Sequence, residues 1–117
     1  MKPLLLHYPG CSTCRKARKW LSEQGIECIE RDITTDHPTE EELKTWIPRS
    51  QLPVRKFFNT SGLLYKEQRL KDKLPQMTEE EQIALLTTNG KLVKRPLLIT
   101  AQTVKVGFQP DVWKEIK

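Results

Sequence analysis

With only three cysteines, an odd number, in 117 residues, the chain does not fit the paired-disulfide framework of a small secreted domain. It also lacks any apolar run near the ~20 residues that cross a bilayer. The opening Met1-Lys2-Pro3-Leu4-Leu5-Leu6 carries one charge, and His7 and Tyr8 break its apolar stretch at once. That stretch is too short for the core of a secretory signal. A cytoplasmic protein with no membrane partner is the expectation. Acid is missing too: residues 1–20 hold five bases and no carboxylate. Bases return over 48–75 and 91–117, with acidic stretches at 21–47 and 76–90 between them. A nucleic-acid binder concentrates its bases and interleaves aromatics. Three separated blocks argue against direct DNA or RNA binding and suit a small anionic substrate better. The rest of the composition, 37% hydrophobic and 30% charged, is that of a globular chain long enough for one core.

Leu4-Leu5-Leu6-His7-Tyr8 reads as a short buried strand closed by Pro9-Gly10. From Ser12 the period becomes helical: Cys14, Ala17, Leu21 and Gln24 share a stripe, Trp20 lies beside it, and Arg15, Lys16, Arg18 and Lys19 face mostly outward. Gly25-Ile26 looks like the helix end with its apolar contact, and Cys28 to Ile33 like a second strand. This β-α-β unit should be right-handed, with parallel strands. Thr39-Glu40-Glu41-Glu42 and Thr78-Glu79-Glu80-Glu81 are both capping-box patterns ahead of helical apolar spacing. Pro48, Pro53 and Pro75 punctuate the segments between, and the stretch predicts helices without a strand. After Asn89-Gly90 ends the helical region, Leu97-Leu98-Ile99 and Thr103 to Val106 predict an antiparallel hairpin. Pro110 starts a last short helix with Val112, Trp113 and Ile116. The fold class is α/β: one domain over 1–117, with a four-stranded mixed sheet and an all-helical insert at about 36–92.

The chemistry concentrates at Cys11-Ser12-Thr13-Cys14. A thiol attacks only as its thiolate, and a free cysteine near pKa ~8.5 is mostly protonated at neutral pH. Cys11 follows a strand and a turn at the start of a helix, where unpaired N–H groups and the helix dipole favour the anion. Arg15 and Lys16 add positive charge one turn on. Cys14, three residues later on the same face, is close enough to pair with it. Cys11 is the candidate nucleophile and Cys14 the resolving thiol. One C-x-x-C gives two ligands where structural zinc takes four. Cys28, His7 and His37 show no second paired spacing, so no metal is expected. Cys28 reads as small buried filler and the three tryptophans as core. His7 either contacts the thiolate or packs and bonds to backbone.

Pro9-Gly10-Cys11-Ser12-Thr13-Cys14-Arg15-Lys16-Ala17, Phe57 to Gly62, Lys94-Arg95-Pro96 and Val106-Gly107-Phe108 together resemble the arsenate reductase (ArsC)/Spx family over nearly the full chain. The resemblance implies a thioredoxin-like fold with a helical insert. In the arsenate reductase branch a cysteine attacks arsenate and three arginines hold the anion. Cys11 matches that cysteine, Arg55 the first arginine and Arg95 the second, and His7 stands where that branch has a histidine. The third arginine falls near Val106 to Gln109, where this chain has none, so one charge-assisted clamp is missing. The resemblance also places a cis-proline at Pro96, beside the cysteines, and Arg95 near Cys11.

Two functions follow. The first is a thiol-disulfide oxidoreductase acting on an oxyanion or disulfide, with no bound cofactor and an external thiol reductant, thioredoxin or glutathione with glutaredoxin. The second is an Spx-type redox-sensing regulator whose partner is RNA polymerase, through the C-terminal domain of its α subunit. The same two cysteines serve either.

Overall fold

Four short strands make the sheet in the computed structural model, which describes residues 2–116. Strand β1 (Leu4–His7) runs parallel to β2 (Ile29–Asp32), pairing Leu4 with Ile29 and His7 with Asp32. On its other side β1 is antiparallel to β3 (Leu97–Ile99), which is antiparallel to β4 (Val104–Val106). The order β2-β1-β3-β4 is the four-stranded mixed sheet that the element order predicts, in the thioredoxin-like arrangement that the resemblance implies. β2 begins one residue after Cys28 and lies on the edge, with Ile29 half exposed.

Helix α1 (Ser12–Glu23) joins β1 to β2 and buries Cys14, Ala17 and Leu21, three of the four stripe residues. It ends as expected: Gly25 takes φ +70, its N–H donates to the Ser22 carbonyl, and the Ile26 N–H donates to Leu21. Those paired bonds satisfy carbonyls that the helix end leaves open.

Between β2 and β3 the chain is helical: α2 (Glu40–Ser50), α3 (Leu63–Glu67), α4 (Leu70–Lys73) and α5 (Glu79–Leu86), with single 3₁₀ turns at Val54–Phe57, Leu74–Gln76 and Gly90–Leu92. Both capping boxes form. Thr39 Oγ1 accepts the Glu42 N–H at 3.1 Å, Thr78 Oγ1 accepts that of Glu81 at 3.1 Å, and each glutamate answers the cap N–H. Two details correct the sequence reading. Helix α2 runs through Pro48 to Ser50, because a proline in the last turn gives up only one bond of a ladder about to end. An isolated bridge, Phe58 with Val93, adds extended pairing where only helices were expected. α2 is tied to β2 by Arg31, whose Nη1 and Nη2 donate to the Glu42 carboxylate at 2.7 and 3.1 Å.

The alternation of β1 and β3 divides the core. Leu5 and Leu98 pack with Ala17, Leu21 and Trp113 under α1 and α6 (Pro110–Trp113). Leu6, Leu97 and Ile99 pack with Leu43, Trp46, Phe57, Ile83 and Leu86 of the insert. The sheet is therefore covered on both faces, as the period of two requires. Trp46 and Trp113 are buried. Trp20 is only partly so, set edge-on to Phe108 and Trp113 at 6.2 and 6.0 Å between ring centres. On the last helix Trp113 is buried while Val112 is exposed, since that helix lasts one turn.

The insert returns to the sheet at Gly90. A Cβ there would lie 1.7 Å from the Ile33 carbonyl oxygen and 2.7 Å from its carbon. The backbone of the 3₁₀ turn thus rests directly on the end of β2. Just beyond, the Lys94 N–H donates to the Phe57 carbonyl at 2.7 Å. No described helix is long and apolar enough to cross a membrane.

Candidate active site

The turn Tyr8-Pro9-Gly10 brings Cys11 to the N-cap of α1 in an extended conformation, and the Cys11 N–H donates to the Tyr8 carbonyl at 3.0 Å. Its Sγ accepts the Cys14 N–H at 3.3 Å, so the thiol does what a capping oxygen does elsewhere. Burial pushes the Cys11 thiol up. The Cys14 side chain and N–H, with the charge and N–H groups of Arg95, outweigh this and leave it below its ordinary value. A helix start and a cation acting on the thiol are the features that favour a thiolate.

Cys14 is fully buried, and its Sγ accepts the Tyr8 N–H at 3.5 Å. Burial pushes this thiol up to about 12, with the Tyr8 N–H opposing and the neighbouring Cys11 adding to the rise. Two cysteines one turn apart therefore titrate in opposite directions. Both are free thiols, as is Cys28, which is half buried just ahead of β2 and raised by burial and by Glu30.

A thiol that stays protonated up to about 12 when folded, against 9.0 ordinarily, makes the unfolded chain the first to release its proton. The stability it contributes is complete below 9.0 and lost as pH climbs towards about 12. Denaturant unfolding on either side of this threshold is expected to show a fall of up to about 1.4 kcal/mol per pH unit. Cys14→Ala should shed that part of the slope, and identical slopes in the two proteins would overturn the assignment.

Of the other expected site residues, Arg95 acts on the Cys11 thiol, and Pro96 follows it directly in the chain. The Arg95–Pro96 bond is cis, as the resemblance implies, and Pro96 is buried ahead of β3. The Arg95 guanidinium lies over the Tyr8 ring, 4.7 Å from its centre, and its Nη1 is buried without a hydrogen-bond partner. Arg15 is exposed on α1. His7 is buried at the end of β1, but its Nε2 faces the Glu30 carboxylate at 3.9 Å, which Arg18 also binds. No described hydrogen bond or ion pair links His7 to Cys11. Arg55 is exposed on the 3₁₀ turn Val54–Phe57. It lines a cleft of about 550 Å³ with Lys56, Lys94, Lys105 and Gln109, and no described interaction joins it to Cys11. In the segment where a third arginine was absent, Gly107 takes φ +74, its carbonyl accepts the Trp113 indole N–H at 3.1 Å, and Phe108 packs on Trp113. Among the described residues, no three His, Cys, Asp or Glu side chains come together as metal ligands.

Sequence reasoning missed Tyr8. Its ring lies under the Arg95 guanidinium and its backbone bonds to both cysteines, but nothing in the local spacing announces a partner from the far end of the chain.

The sequence profile of the ArsC family matches residues 6–116. An ArsC-family-related protein of Bacteroides fragilis, known from a crystal structure, is 65% identical with a TM-score of 0.98, covering 100% of this chain and 98% of that one. The arsenate reductase of Vibrio cholerae is 29% identical with a TM-score of 0.88, covering 100% and 98%. The global transcriptional regulator Spx of Enterococcus faecalis is 31% identical over 103 residues, 88% of this chain and 76% of that protein. With a profile match over almost its whole length, this chain belongs to the ArsC family.

Proposed function

We propose that the protein is a thiol-disulfide oxidoreductase of the arsenate-reductase type, working in the cytoplasm, with Cys11 as nucleophile and Cys14 as resolving thiol. The observation that carries this reading is the opposed titration of the two thiols. The Cys14 N–H and Arg95 bring the Cys11 thiol below its ordinary value and so favour its thiolate, while Cys14 is buried and kept protonated. The buried, unpartnered Nη1 of Arg95 is a donor suited to an oxyanion approaching Cys11.

In this reading the Cys11 thiolate bonds to the arsenic of arsenate, and one oxygen leaves as water after taking up protons. Cys14 then attacks Cys11 Sγ. The S–As bond breaks, its electron pair goes to arsenic, and arsenite leaves with a Cys11–Cys14 disulfide behind it. Two thiols supply two electrons and arsenic(V) becomes arsenic(III). Formation of the adduct removes the negative charge that Cys11 placed beside Cys14, so the resolving thiol ionises more readily once it is needed. An external thiol reductant, thioredoxin or glutathione with glutaredoxin, returns both thiols.

The missing third arginine, and an Arg55 that no described interaction joins to Cys11, favour a second reading. In it the same disulfide is a switch on an Spx-type regulator that binds RNA polymerase through its α subunit. Thiol counting by mass spectrometry on reduced, oxygen-free protein separates the two. Loss of two thiols with stoichiometric arsenate, mapped to Cys11 and Cys14, is the expected result. No loss with arsenate, together with a Cys11–Cys14 bridge under a general thiol oxidant, overturns the reductase reading in favour of the switch. Redox-dependent binding of the polymerase then becomes the test of the second.

A further inference from the structure

The reactive thiol and its cation come from opposite ends of the chain, and one aromatic ring stands between them. Tyr8 follows β1 directly. On one side its ring meets the Pro9-Gly10 turn so closely that a Cβ on Gly10 would lie 2.8 Å from Cε2. On the other, the Arg95 guanidinium is stacked 4.7 Å from the ring centre. The ring also packs against the buried cluster that includes Leu6 and Leu97, so it is itself anchored. We infer that Tyr8 is a positioning residue: its ring fixes the Arg95 guanidinium while its backbone holds the cysteine turn, and so it governs how readily Cys11 reacts.

The physical argument starts from what Arg95 lacks. It is partly buried, makes none of the described salt bridges, and leaves Nη1 buried and unpartnered. A guanidinium held by no carboxylate would ordinarily swing into water. The ring face replaces a carboxylate as the partner. It attracts the cation through its quadrupole without neutralising it, so the positive charge stays available to a nearby anion. A carboxylate in the same place would hold Arg95 as firmly and cancel its effect on the thiolate.

The charged and titratable groups around Cys11 are few. Cys14 comes from its own helix and Arg95 from the segment ahead of β3. His7 of β1 turns to Glu30 of β2, and Arg18 of α1 binds the same Glu30. Arg15 and Lys16 lie exposed on α1. Arg95 is thus the cation that acts on the Cys11 thiol, beside the Cys14 side chain and N–H, and the ring that holds Arg95 bears on that share.

This inference rests on Cys11 being the ionised thiol of the proposed reaction, and not on which oxidant it meets. The test is the pH profile of Cys11 alkylation by iodoacetamide, read by peptide mass spectrometry, for the native sequence, Tyr8→Leu, Tyr8→Phe, Arg95→Gln and the double variant Tyr8→Leu/Arg95→Gln. Tyr8→Leu is expected to move the midpoint upward and slow alkylation below it about threefold or more. Tyr8→Phe keeps the ring and should restore the native profile. In the Arg95→Gln background Tyr8→Leu should add nothing. An unchanged profile in Tyr8→Leu, or an equal shift with and without Arg95, overturns the inference. A native midpoint at the value of an ordinary thiol overturns the reading of Cys11 beneath it, which is a different failure. Should Tyr8→Leu not fold, nitrogen-15 NMR of the native protein decides. An upfield-shifted, slowly exchanging Arg95 Nε–H supports the stack, and the signal of a freely rotating guanidinium sinks it.

Discussion

Iodoacetamide near neutral pH is expected to label Cys11 roughly 10²-fold faster than Cys14, with Cys28 also lagging behind Cys11. A thiol titrating at about 12 is ionised to about one part in 10⁵ near neutral pH, against a few per cent for an ordinary thiol and more for Cys11. The rarer thiolate is the stronger nucleophile. With a Brønsted slope of about 0.4–0.5 this returns a factor of roughly 40 to Cys14. A large margin remains for Cys11, and the complete burial of Cys14 widens it. Cys28 is raised by burial and by Glu30 and has no helix start to stabilise its anion. Site-resolved mass spectrometry over a time course measures the three rates. Labelling of Cys28 first would remove Cys11 from the role of ionised thiol, because it would mean that the cap geometry does not act on it.

Gly90→Ala is expected to be the most damaging single-methyl change in the chain, with a loss of about 3 kcal/mol or more and a melting temperature lower by roughly 10 °C or more. The methyl would overlap the Ile33 carbonyl at 1.7 Å and approach His37 Cβ at 3.1 Å. Backbone cannot rotate out of the way as a side-chain tip can. The 3₁₀ turn Gly90–Leu92 and the end of β2 must separate, and Leu92 and Val93, both fully buried, are drawn from the core with them. Gly25→Ala makes the useful contrast. Gly25 has φ +70 but open space around it, so alanine there meets backbone strain alone, about 1 kcal/mol. Thermal melts of the two variants separate steric contact from conformational strain. Equal losses would mean that the Gly90 contact yields more easily than close-packed backbone should.

The parts of this fold that were legible in the sequence are those whose causes are local. A change of period at Ser12, a glycine followed by an isoleucine at the helix end, and two Thr-x-x-Glu caps each act within a few residues, and each formed. The strands β1 and β3 were readable as short apolar runs bounded by turn residues, Leu4-Leu5-Leu6 before Pro9-Gly10 and Leu97-Leu98-Ile99 after Pro96; which leucine faces which layer was not. What was not legible depends on distant partners. Arg31 looked like an ordinary strand base until α2 placed Glu42 beside it. Tyr8 looked like the end of a strand until Arg95 arrived over its face. His7 was open between thiolate and packing, and its side chain turned to Glu30 because the parallel pairing of β1 with β2 puts that neighbour within reach. Arg55 came from a motif match, and a motif fixes the residue without fixing which cleft its side chain enters.

The helical insert determines how small the cysteine site could ever be made. Leu6, Leu97, Ile99 and Val104 belong to the same buried cluster as the insert's Leu43, Phe57 and Leu86, so trimming the chain to its sheet and cysteine turn would lay bare one whole apolar side. The insert nevertheless leaves and rejoins at touching points, Ile33 and Gly90. Extra residues in its outer turns would lengthen a closed excursion whose entropic cost grows only with the logarithm of its length. The architecture thus forbids a minimal version of this site while tolerating elaborated ones, with room for added surface on the insert and none for its removal.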